Sequence, residues 1–60
     1  MKYSKATMLK LVNEERALHD ELKRIKSEMG LEKNLALKAL YHSAVADGGR
    51  YQMRYQELDR

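Results

Sequence analysis

The sequence predicts an all-α protein: an antiparallel helical hairpin with a long, coiled-coil-like first helix and a short C-terminal helical segment, assembled as an oligomer. Three observations predict it. Apolar side chains recur with seven-residue spacing from Met8 to Met29, the pattern of a helix made to lie against another helix. Proline is absent and glycine occurs only at Gly30, Gly48 and Gly49, so the strong breakers cut the chain into three segments. Those segments are rich in Leu, Ala, Glu, Lys and Arg, which favour helix, and no second strand candidate exists to pair with a first.

The first element is expected over about residues 5–29, with Ser4 as N-cap and Thr7 as second choice. Met8, Leu11, Leu18, Leu22, Ile25 and Met29 take positions a and d of consecutive heptads, and only Glu15 interrupts the series. These seven positions, Glu15 included, are the expected oligomer interface. Gly30 suits the left-handed residue that ends a helix, with Leu31 contacting Ile25 behind it. At 1.5 Å per residue such a helix runs roughly 37 Å.

Glu15 has two readings. Its carboxylate reaches water or pairs with Arg16 or Lys10 of a neighbouring helix, or it acts as a register selector, weakening the seam while disfavouring wrong alignments. Glu14, Glu21 and Glu28 hold the g positions, and Val12, His19 and Lys26 the e positions. A parallel pairing would set Glu14 near His19 and Glu21 near Lys26, whereas an antiparallel pairing of first helices brings carboxylate against carboxylate.

The second element is expected over about residues 32–46. Its apolar residues, among them Leu35, Leu37, Leu40, Tyr41 and Val45, spread around most of the helical wheel, so cover is expected on most faces. The short connection after Gly30 makes it the antiparallel partner of the first helix. A lone hairpin leaves one flank bare, which adds to the expectation of a homo-oligomer.

The tail, about residues 50–59, repeats Arg-Tyr-Gln at 50–52 and 54–56. Tyr51, Tyr55 and Leu58 share a helix face, although Tyr51, Met53 and Tyr55 also alternate as on a strand; without a second strand, helix is favoured. Arg50, Tyr51, Arg54, Tyr55 and Leu58 are the expected partner-binding residues, because Tyr and Arg often carry binding energy and the Gly48-Gly49 pair offers a hinge. The alternative has the tyrosines and Leu58 packing on the hairpin with only the arginines in solvent. The whole chain, 1–60, is expected to be a single small helical domain.

Catalysis is not expected. His42 and Ser43 are neighbours in sequence and point about 100° apart on a helix, and no GxGxxG, P-loop or His-Glu-x-x-His pattern occurs. Glu15, His19 and His42 could be drawn together as a metal site, but zinc spacings are missing, so surface histidines and no metal or cofactor are expected.

Sixty residues bury a smaller fraction of their surface than a large domain does, and no cysteine is present to staple the chain. No apolar run reaches the length of a signal-peptide core or a membrane span, so the expected setting is the cytoplasm, without membrane attachment. The initiator Met and the lack of a Pro/Ser linker predict a complete small reading frame, of the kind found among bacterial or phage regulators. Net charge is +3, with acidic and basic residues largely interleaved.

The expected function is that of a small non-enzymatic interaction protein, an adaptor, inhibitor or regulator that binds a protein partner through helix packing. The alternative is a basic helical dimer that binds nucleic acid. Lys2, Lys5 and Lys10, then Lys23, Arg24 and Lys26, then Arg50 and Arg54 between tyrosines would supply its cations, against dilution by the acidic residues of the first helix.

Overall fold

The computed structural model describes residues 2–59, which form four helices: α1 (Lys5–Glu14), α2 (Arg16–Met29), α3 (Lys33–Ala44) and α4 (Gln52–Leu58). The all-helical class is as the sequence predicts, and among the described residues there is no strand. None of these helices is long and apolar enough to cross a membrane.

Helix α1 starts where the cap signal lies. Ser4 is extended, and its hydroxyl accepts the Thr7 amide at 3.3 Å, serving one of the free amides of the first turn. The expected single helix over 5–29 is instead two helices, because Glu15 leaves helical geometry at φ −112° and ψ 103°. Its amide still donates to the Leu11 carbonyl at 2.9 Å, and its carbonyl accepts from Leu18 at 3.0 Å and His19 at 3.1 Å, so one residue ends α1 and begins α2.

Packing explains the break. Folded over α3 and α4, α1 buries Thr7, Met8, Leu11 and Val12. An unbroken helix of that length would run about 37 Å, whereas the longest extent of the fold is 31 Å.

Gly30 ends α2 in the left-handed conformation (φ 63°), where a side chain would be strained, and Leu31 behind it is half-buried against the core. Three residues later α3 begins and packs on α2. It closes at Ala44, short of the expected 46, as Val45 and Ala46 both donate to the Tyr41 carbonyl. Gly49 then runs so close beneath the end of α3 that a Cβ there would lie 2.5 Å from the Ala44 carbonyl. That approach lets the Tyr51 amide reach the Ala44 oxygen at 2.8 Å and sets the direction of α4.

One apolar cluster joins all four helices: Met8, Leu11 and Val12; Leu18, Leu22 and Ile25; Ala36, Leu37, Leu40 and Tyr41 with the following Val45; and Tyr55. The cover expected for the second element comes from α1 on one side and α2 on another, and Leu35 is its large residue left outside, 51% exposed. Tyr41 sits between Tyr3 and Tyr55, with edge-on ring contacts at 5.3 Å to each, the geometry aromatic quadrupoles favour.

Candidate functional site

The heptad residues lie inside the chain. Met8 and Leu11 are fully buried, and Leu18, Leu22 and Ile25 nearly so; Met29, at the last position of α2 beside the turn, is 62% exposed. The seven-residue pattern therefore reports a face that α3 and α4 cover from within the same chain. Glu15 is half-buried, with a carboxylate oxygen 3.7 Å from Nε of Arg54.

The tail is built into the fold. Tyr55 is at the centre of the core, its hydroxyl accepting the Ser4 amide at 2.7 Å and donating to the Lys2 carbonyl at 2.8 Å. Burial pushes this phenol above its ordinary pKa; the Ser4 bond opposes the shift, and Asp59, Tyr41 and Tyr3 add to it. Tyr51 and Leu58 are half-buried against the core, and Arg54 is held by Glu14, by Glu15 and by Glu57 at 3.4 Å. Of the five residues expected to meet a partner, Arg50 is the one on the open surface, on a groove with Glu21, Ser43 and Tyr51. His19 and His42 are both exposed, the first 3.8 Å from Asp20 and the second edge-on to Tyr41.

A second arrangement emerges from the way α2 divides its charges. Glu21, Arg24 and Glu28 share one face, where Arg24 bonds Glu21 and reaches Glu28 at 3.0 Å; the Arg24 bond holds the Glu21 carboxyl below the usual carboxylate range. On the opposite side, Arg16, His19, Lys23 and Lys26 follow one another at three- and four-residue steps. Two adjoining depressions, of about 410 and 320 Å³, run along this side. They are floored by Val12 and Leu22 and flanked by Asn13, and the second is closed at its far end by Lys33 from the first turn of α3.

Among the described residues, Arg16, Lys23, Lys26 and Lys33 make no ion pair. The neighbouring carboxylates are mostly engaged elsewhere: Glu14, which lines the groove together with Asp20, pairs with Arg54 as Glu15 does, and Glu21 and Glu28 pair with Arg24. Four unpaired cations along one concave strip concentrate positive potential there. The wheel positions of residues 16, 19, 23 and 26 were available to sequence reasoning; the addition of Lys33 and the pairing of Glu14 with Arg54 were not. The chain matches no family model, no curated protein and no solved structure.

Proposed function

We propose that this chain is a non-enzymatic binding module that works in the cytoplasm and takes the phosphate backbone of a nucleic acid along the groove beside α2. The observation that carries the reading is the row of Arg16, Lys23, Lys26 and Lys33, unpaired while the neighbouring carboxylates are occupied by Arg24 and Arg54. Tyr3, Tyr41 and Tyr55 pack together away from this strip, so backbone contact is favoured over base stacking and the binding would be indifferent to sequence.

Fluorescence anisotropy with a labelled 20-base-pair duplex, titrated at several salt concentrations, tests the reading. Four phosphate contacts give a slope of log affinity against log salt of roughly −3 to −4. The triple variant Lys23→Ala, Lys26→Ala, Lys33→Ala should lose at least about tenfold in affinity at low salt while melting where the parent melts. No binding in low salt, or full binding by the triple variant, overturns it.

A second reading, a protein partner met through helix packing, is favoured by the α2–α3 turn. Met29 and Leu35 flank it, 62% and 51% exposed, with half-buried Leu31 between them in sequence. Here binding would survive high salt and be lost in the double variant Met29→Gln, Leu35→Gln, which an affinity capture comparing parent and variant reads directly.

A further inference from the structure

We infer that Glu15 is a hinge through which two copies of this chain exchange their first helices, forming a swapped dimer in which residues 5–29 are one continuous helix. This goes beyond the binding reading above and does not depend on it.

The break is not written in the residues that make it. Glu14, Glu15 and Arg16 are good helix formers with no glycine, proline or capping residue among them, and the Glu15 side chain makes no cap bond to the start of α2. Helix phase also runs through it: Met8 and Met29 are separated by three whole heptads, and Leu11, Leu18, Leu22 and Ile25 keep step between them. Two helices joined by an arbitrary turn have no need to stay in phase. A helix that is straight in some other state does.

Straightening cannot happen within one folded chain. The continuous helix would be about 37 Å long, against a longest extent of 31 Å, and it would lift α1 from α3 and α4. Met8, Leu11 and Val12 would lose their cover, and Tyr55, Asp59 and Arg54 would lose Ser4, Thr7 and Glu14.

The occupant that restores all of these together is the α1 of a second copy, which carries the same residues at the same spacings. The contacts of α1 with α3 and α4 are then remade between chains, and the backbone change is confined to the junction at residue 15. The intrahelical hydrogen bonds interrupted at Glu15 in the single chain become available once the helix is continuous. Sequence and packing thus prefer different geometries at this residue, the local conflict that lets a chain hold two arrangements.

Sedimentation equilibrium from micromolar to millimolar concentration, on the parent and two variants, tests the inference. Glu15→Ala favours the continuous helix and Glu15→Ser caps the start of α2, so the dimer should be strongest in the first and weakest in the second. A capping preference worth about fivefold, counted at both junctions, separates their dissociation constants by about 25-fold.

Exchange is distinguished from side-by-side association by adding Thr7→Cys and Asp59→Cys to the Glu15→Ala chain. Their side chains meet at 2.6 Å across α1 and the end of α4, and the parent has no cysteine. Oxidation of the dimer fraction should give covalently linked pairs, which a single Thr7→Cys control does not. A Glu15→Ala chain that stays monomeric at millimolar concentration, a dimer no stronger than that of Glu15→Ser, or cross-links confined to single chains would each overturn the inference.

Discussion

The Tyr55 hydroxyl accepts a hydrogen bond from the backbone amide of Ser4, 51 residues away in sequence, at 2.7 Å, and donates one to the Lys2 carbonyl at 2.8 Å. The final helix and the residue that caps the first are held by a single phenol. Tyr55→Phe keeps the ring against Tyr41 and removes only the oxygen, leaving a part-buried amide and carbonyl short of a partner. The loss should be about 1–2 kcal/mol, lowering the melting midpoint by roughly 4–16 °C in a chain of this size. Tyr55→Ala also opens the core, costs about 3–5 kcal/mol, and should leave the chain largely unfolded by circular dichroism.

Alkaline pH should unfold the protein through the same group. The Tyr55 and Tyr3 phenols are both raised above 10.0, in each case chiefly by burial. A raised pKa in the fold means that the stabilisation is complete below the unfolded value, near 10, and drains away as pH climbs from there through the folded value. Denaturant melts at pH 8 and 9 should coincide and those above 10 should weaken. In Tyr55→Phe the alkaline decline should be shallower; an equally steep decline would place the titrating group elsewhere.

Substitutions at the three glycines should separate by mechanism. Gly30→Ala and Gly48→Ala meet open space and suffer only from positive φ (63° and 80°), about 1 kcal/mol each. At Gly49 the added methyl would sit 2.5 Å from the Ala44 carbonyl, which is backbone and cannot turn aside. Gly49→Ala should cost about 3 kcal/mol or more and displace α4. Thermal melts of the three single variants provide the ranking.

Ion pairs should rank by what they join. Arg24 links residues of its own helix, whereas Arg54 ties α4 to Glu14 and Glu15, adjacent carboxylates that would otherwise repel. Arg24→Gln should hardly move the denaturation midpoint, because exposed pairs within one helix contribute little. Arg54→Gln should cost about 1 kcal/mol at low ionic strength, and both losses should shrink in 1 M salt. Chemical denaturation with urea, which leaves the ionic strength unchanged, measures this cleanly.

Several parts of this architecture were legible in the chain. The Ser4 cap, the turn at Gly30 and the helical tail beyond the glycine pair were read from local chemistry that packing did not override. So was the apolar face of Met8, Leu11, Leu18, Leu22 and Ile25, because period fixes a face whichever surface covers it. The break at Glu15 was not legible, since nothing at that residue disfavours helix and the cause lies in where α3 and α4 stand. Met29 fits the heptad yet lies exposed, because periodicity cannot say where the cover ends. The cation strip was half-visible: its α2 members share a wheel face, but Lys33 joins only when α3 is placed, and the Glu14 carboxylate is neutralised only when Arg54 comes near.

The Ser4–Tyr55 bond also dictates an order of events in time. Closing a chain loop of 51 residues costs about 3.5 kcal/mol in entropy, whereas α2 and α3 are joined by a three-residue turn and meet at almost no such cost. Early structure therefore gathers around Leu22, Ile25 and Leu37, and α1 and α4 settle afterwards, each supplying part of the surface the other needs. Weakening the Tyr55 contact should then leave the folding rate nearly unchanged and quicken unfolding. The ends of the chain close last and open first.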